Sequence, residues 1–262
     1  MDVSLLVTCL TDTFYPRVGE AVVRVLEHFG CRVDFPADQT CCGQPMYNTG
    51  CHTDAAALAR RTVDVFEGAE CVVTPSGSCC AMIRDYYPSL LEADPRYQPR
   101  CERFVDRTYE FTEFLLQRLG ADLRSAGCRW PGDEQSARVT YHYSCHLRGL
   151  GMRDEAVRLL RQIEGIELVD LEKTEQCCGF GGTFAVKYPH ISGAMVGDKV
   201  DCVERSGAEV LVCNDGGCTL NIEGALHRRA RPVVTKHIAE IIAEGLGLMP
   251  VQRQPHGAAT VG

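Results

Sequence analysis

The chain is written twice. Cys9 is followed, after 31 intervening residues, by Cys41-Cys42-Gly43, and Cys145 is followed after the same 31 by Cys177-Cys178-Gly179, so both elements recur at an offset of 136. A third element recurs at an offset of 139: Ser76-Gly77-Ser78-Cys79 after the apolar run CVVTP, and Asp215-Gly216-Gly217-Cys218 after EVLVCN. A cysteine doublet with matched upstream spacing marks an internal duplication. Whatever fold one half takes, the other must be able to take as well.

Hydrophobic periodicity gives each half the same order of elements. In the first half an apolar run (3–7) reads as a strand. A helix follows, with Val18, Val22, Val25, Leu26 and Phe29 on one face and Gly30 as its stop. Residues 31–36 read as a second strand leading into the Cys41-Cys42-Gly43 loop, and Thr53 is placed to cap an Ala-rich helix ending at Gly68. The Cys71-Val72-Val73 strand and a helix opened by Ser76 and running through Tyr86 complete the half. The second half repeats the series: a strand over 137–143, a helix over 153–164, a strand over 166–171, the Cys177-Cys178-Gly179 loop, a helix near 183–206, a strand over 209–213 and a helix after Gly217. Alternating strands and helices predict an α/β fold: two pseudo-symmetric, Rossmann-like βαβαβα halves with mainly parallel sheets. The halves are expected over 1–125 and 136–248, joined by a helical connector over 104–119 and a breaker-rich polar stretch. A tail over 249–262, poor in apolar residues, is expected to be disordered.

That order puts every repeated cysteine just after a strand and at or before a helix start. All of them fall on the carboxyl edge of a parallel sheet, where open α/β sheets bind ligands. The eight are Cys9, Cys41, Cys42 and Cys79, and Cys145, Cys177, Cys178 and Cys218. Helix N-termini at that edge favour anions, and a thiolate-ligated metal centre is an anion. Four thiolates per half suit either zinc or an iron–sulfur centre, and residue types alone leave that choice open. Cys80 and Cys213 flank the pattern and could substitute as ligands. Cys31, Cys51, Cys71, Cys101, Cys128 and Cys202 have no repeated counterpart and read as structural.

Composition narrows the setting. Sixteen cysteines in 262 residues are too many for an ordinary reduced protein and too few for a small disulfide scaffold, so metal is the better account. A formal net charge of −8 argues against nucleic acid. The opening MDVSLLVTCL lacks the basic region of a secretory signal, and no apolar run is long enough for a membrane span, so a cytoplasmic protein is expected.

The halves differ around their first cysteine. Tyr141-His142-Tyr143-Ser144-Cys145-His146-Leu147-Arg148 stands where the first half has Leu5-Leu6-Val7-Thr8-Cys9-Leu10-Thr11-Asp12. His142 and His146 could relay protons or stabilise a carboxylate, and Arg148 could do the latter with two hydrogen bonds, so these three are the candidate catalytic residues. Ser76 and Asp215 read as helix caps. The glycines of CCGFGG lack the spacing of a dinucleotide loop.

The pattern of Cys9, Cys41-Cys42-Gly43 and Cys79, repeated as Cys145, Cys177-Cys178-Gly179 and Cys218, resembles the duplicated cysteine-rich CCG domain of heterodisulfide reductases and of glycolate oxidase iron–sulfur subunits. With the strings VTCL, CCGQPMYNTG, PSGSC, SCHLRGLG, CCGFGGTF and NDGGC, residues 1–245 look most like the lactate utilization protein A family. The resemblance implies an iron–sulfur, electron-transferring oxidoreductase subunit of a complex that oxidises L-lactate to pyruvate. Its implied partners are a ferredoxin-like iron–sulfur subunit and a third subunit, and its implied cofactor is bound by the eight repeated cysteines. The full family pattern has five cysteines per site, the last two as CxxC. Here Ser76 and Asp215 replace the first of that pair, so ordinary four-cysteine [4Fe-4S] sites are the expectation rather than non-cubane clusters. The alternatives are a zinc-stabilised assembly module without a redox role and a thiol–disulfide (heterodisulfide-type) reductase subunit.

Overall fold

The computed structural model describes residues 1–130 and 136–252. Most of the expected tail, from 253 on, and residues 131–135 of the polar stretch between the halves lie outside the described residues. The chain divides into two compact units, Met1–Ala121 with His146–Arg153, and Asp122–Cys145 with the chain from Asp154 onward.

The first unit is built on four parallel strands: β1 (Asp2–Leu5), β2 (Arg32–Asp34), β3 (Cys71–Thr74) and β4 (Thr108–Glu110), in the order β2-β1-β3-β4. Val3 of β1 stands opposite both Val33 and Cys71, and Val72 of β3 stands opposite Thr108. The helix Pro16–His28 follows the expected period, burying Val18, Val22, Val25 and Leu26, and Gly30 ends it at φ +82. Phe66, Phe104 and Tyr87 stack at the centre of the core, in the same apolar cluster as Cys42 and Cys79.

The second unit repeats this frame with β5 (Ala137–Tyr141), β6 (Ile166–Leu168), β7 (Val210–Cys213) and β8 (Val234–His237), in the order β6-β5-β7-β8, again all parallel. Its core cluster gathers Cys178 and Cys218 with Val200, Cys202, Leu211 and Ile222. Two Rossmann-like α/β halves with parallel sheets are therefore present, each with one more strand than the βαβαβα reading expects.

The differences have local causes. The stretch read as a helical connector contains β4, because the helix Gln98–Asp106 ends at Arg107 and a new start is fixed by Glu110 and Glu113, which cap each other's backbone. β4 and β8 are three and four residues long, too short to show a strand period. Thr53 does not cap its helix. Gly50, at φ +84, turns the chain so tightly that the helix His52–Val65 starts with Cys51 at its N-cap. The helix expected over 153–164 is confined to Glu155–Leu160. The one expected near 183–206 breaks at Tyr188, ahead of Pro189, into Thr183–Lys187 and Pro189–Ser206. The helix opened by Ser76 is α-helical over Gly77–Ala81 and π-helical over Met82–Tyr86.

Candidate metal centres

Strand order decides where the thiols meet. In the order β2-β1-β3-β4 the chain leaves β1 toward one side and β3 lies on the other, which opens a crevice at their carboxyl ends. Cys9 starts the helix after β1, Cys41 and Cys42 lie in the loop after β2, and Cys79 sits in the first turn of the helix after β3. The second unit places Cys145, Cys177, Cys178 and Cys218 in the same way.

All sixteen cysteines are free thiols. Cys42 Sγ donates to Cys79 Sγ at 3.2 Å, and Cys178 Sγ to Cys218 Sγ at 3.2 Å. Interactions chain the other thiols onto these pairs. Cys42 and Cys9 both donate to Cys41, and with the Gly43 N–H at 3.5 Å they hold it at about 3. Donation to Cys41, together with burial, pushes Cys9 up, and the same two causes, with Cys79 as a further acceptor, raise Cys42. In the second unit Cys145 and Cys178 donate to Cys177, which with the Gly179 N–H at 3.3 Å is held at about 2. Cys145 and Cys178 are raised in turn, chiefly through Cys177. Donation from Cys178, then the charge of His142, hold Cys218 at about 7.

This pattern tests whether the residues fit a metal. In each set the most acidic thiol is stabilised only because its neighbours stay protonated, since adjacent thiolates repel. A cation removes that repulsion and lets the whole set ionise, which is how thiol sites bind metal and release protons. Four sulfurs per unit, two of them in the first turns of helices and two in a loop, with a backbone N–H on one sulfur, form a donor set suited to a thiolate-bound metal centre.

The supporting residues repeat in role, and in part in identity. Gly43 and Gly179 hold φ +86 and +83, turning the backbone so that their N–H groups face Cys41 and Cys177. Ser76 Oγ accepts from Cys79 N at 3.3 Å, and Asp215 Oδ1 accepts from Gly217 N at 3.0 Å and Cys218 N at 3.3 Å, so both cap the helices that carry the last thiol. The Cys42 carbonyl accepts from Tyr87 Oη at 2.9 Å, and the Cys178 carbonyl from Asn221 Nδ2 at 2.8 Å. Neither Tyr87 nor Asn221 stands out in the sequence, because each lies far along the chain from the doublet it holds. Gln44 is equally silent there, although it directly follows Cys41-Cys42-Gly43. Its Nε2 donates to the Ser78 carbonyl at 3.1 Å and meets His146 Nε2 at 3.2 Å.

The three candidate catalytic residues fall in different surroundings. His146 and exposed Arg148 lie in the segment His146–Arg153, which belongs to the first unit, and His142 belongs to the second. His142 is fully buried, with its ligand nitrogen and the sulfurs of Cys178 and Cys218 all within 4.8 Å of one another. Cys80 is buried, its thiol raised by burial, and its charged neighbours are Arg84, Glu113 and Glu110 rather than the thiol set. Burial also raises Cys213, with repulsion from Cys218 as the next cause.

Two thiol sets on two copies of one α/β unit define a duplicated cysteine-rich domain protein, and the CCG cysteine-rich domain family matches residues 3–84 and again 139–223. Lactate utilization protein A of Exiguobacterium sp. is 46% identical over 248 residues, covering 94% of this chain and 98% of that protein. Those of Bacillus velezensis and Bacillus subtilis are 48% and 45% identical over 243 residues, 92% of this chain and 99% of each. The chain belongs to the lactate utilization protein A family. Among solved structures, a solute-binding protein of an ABC transporter system from Conexibacter woesei aligns over 89% of the chain and 69% of its own at 13% identity and a TM-score of 0.28, too distant to bear on the fold. No helix among the described residues is long and apolar enough to cross a membrane.

Proposed function

We propose that this chain is an iron–sulfur subunit that passes electrons within a system oxidising L-lactate to pyruvate. The observation that carries the reading is the pair of four-thiol sets, each linked sulfur to sulfur at the carboxyl edge of a parallel sheet. The names of relatives that match nearly the full length of both chains support the lactate system.

In this reading Cys9, Cys41, Cys42 and Cys79 hold one centre, and Cys145, Cys177, Cys178 and Cys218 the other. A bound iron–sulfur centre would supply one-electron chemistry, so that the two electrons of a hydroxy acid leave in single steps. The chain's own residues keep the site fixed. The Gly43 and Gly179 N–H groups lie against sulfur, the Ser76 and Asp215 caps fix the helices of Cys79 and Cys218, and Tyr87 and Asn221 pin the doublet loops. A rigid donor shell keeps the reorganisation on electron gain small. A ferredoxin-like subunit and a third subunit would bring electrons in or take them away, and a cytoplasmic setting would keep the thiols reduced.

Anaerobic purification with iron and sulfide analysis and EPR tests the reading. Iron, acid-labile sulfide and a reducible signal are expected, and Cys178→Ser should lower the iron content. A chain that takes up zinc and no iron under those conditions is instead a zinc-stabilised assembly module. A reversible dithiol in the metal-free chain, with no bound metal, would favour the thiol–disulfide reading.

A further inference from the structure

His142 continues the line of β5, and its backbone N–H donates to the Val212 carbonyl at 2.9 Å. In the first unit the same place is held by Leu6, whose N–H donates to the Val73 carbonyl at 2.9 Å. The backbone positions match, and the side chains differ completely. Leu6 is buried in the apolar cluster that contains Cys42 and Cys79. His142 is fully buried beside Cys178 and Cys218, and neither ring nitrogen makes a well-formed hydrogen bond. The polar group that approaches the ring is the Cys218 thiol.

A buried imidazole without well-formed hydrogen bonds costs the fold stability, and a leucine at this position would carry no such penalty. Packing therefore does not explain the histidine. Asp215, another polar side chain nearby, is committed to the helix N-terminus through Gly217 N and Cys218 N. The imidazole and two buried sulfurs form a three-donor set of the kind that thiolate and imidazole metal sites use.

We propose that His142 is a metal ligand beside Cys178 and Cys218, taking the place of one of the four thiolates of the second unit, so that the centre of the second unit is held by nitrogen as well as sulfur while that of the first unit is held by sulfur alone. The inference rests on the second thiol set being a metal centre. A neutral imidazole in place of an anionic thiolate leaves the bound centre less negative, which favours its reduced form. The second unit then holds the higher-potential centre.

Pulsed EPR on the full chain tests this, with the metal-free protein loaded either with iron and sulfide and then reduced, or with cobalt(II). A strongly coupled nitrogen is expected that changes from 14N to 15N on labelling with 15N-histidine and is absent in His142→Leu. That variant copies Leu6, so it is expected to fold. His142→Cys, which returns a thiolate, should keep metal at the second unit and lower the potential of that centre. Bound metal with no strongly coupled nitrogen, or a coupling that survives in His142→Leu, overturns the assignment and leaves the thiol site standing. Metal content unchanged in Cys178→Ser overturns the thiol site itself, and the assignment with it.

Discussion

Tyr87 and Asn221 are unrelated side chains that meet one need, since each donates to the carbonyl of the second cysteine of a doublet. The hydroxyl of Tyr87 is completely buried and also lies 3.2 Å from Thr62 Oγ1, so Tyr87→Phe leaves a buried carbonyl without its donor. The expected loss is about 1–2 kcal/mol in denaturant unfolding, with a change in the spectrum of the first centre only. Gly179 makes the same point for the backbone. A Cβ there would sit 2.9 Å from the Ser192 carbonyl oxygen, at φ +83. At Gly50, with φ +84, a Cβ would meet nothing within 4 Å. Gly50→Ala should therefore cost about 1 kcal/mol from conformation alone, and Gly179→Ala distinctly more, with loss of metal from the second unit. Equal costs, read from urea midpoints, would refute a steric role for Gly179.

At the scale of elements, the helix Gly216–Arg228 depends on Asp215 at its start and carries Cys218 in its first turn. Asp215→Ala should cost about 1 kcal/mol and loosen the thiol, whereas Asp215→Asn, which keeps a capping oxygen, should cost less. The strand β8 and the following helix Ile238–Gly245 are tied by Lys236 and Glu244, buried at 3% and 0% exposure, with Nζ 2.6 Å from the carboxylate. Removing one partner strands the other charge in the core. Glu244→Leu is expected to cost about 3–5 kcal/mol, and Lys236→Met with Glu244→Leu together should recover most of it. Thermal melts of the single and the double variant decide the point. These elements also mark the limit of what the chain alone discloses. The duplication, the strand–helix alternation and the positions of Cys42, Cys79, Cys178 and Cys218 are written as repeated residues at repeated spacing, so they can be read. β4 and β8 cannot, because strands of three or four residues carry no period and are held by neighbours distant in the chain. That His142 makes no well-formed hydrogen bond is hidden too: a histidine beside a strand reads as hydrogen-bonded until its surroundings are known.

At the scale of the whole molecule, duplication predicts that metal is lost in two comparable steps. Cys42→Ser and Cys178→Ser should each remove about half of the bound metal, and the double variant nearly all of it. Complete removal by a chelator should lower the melting temperature, because metal binding to preformed thiols adds directly to folding stability. A single variant that empties both sites would refute the independence of the two sets. One further consequence follows from Leu147. This residue is buried in the first unit, and a Cβ on Gly77 would lie 2.7 Å from it. The ribosome, however, delivers residues 122–145 of the second unit before it delivers Leu147. The amino-terminal half thus emerges first yet waits for a piece of chain made after its neighbour has begun, so the order of synthesis and the order of completion do not coincide.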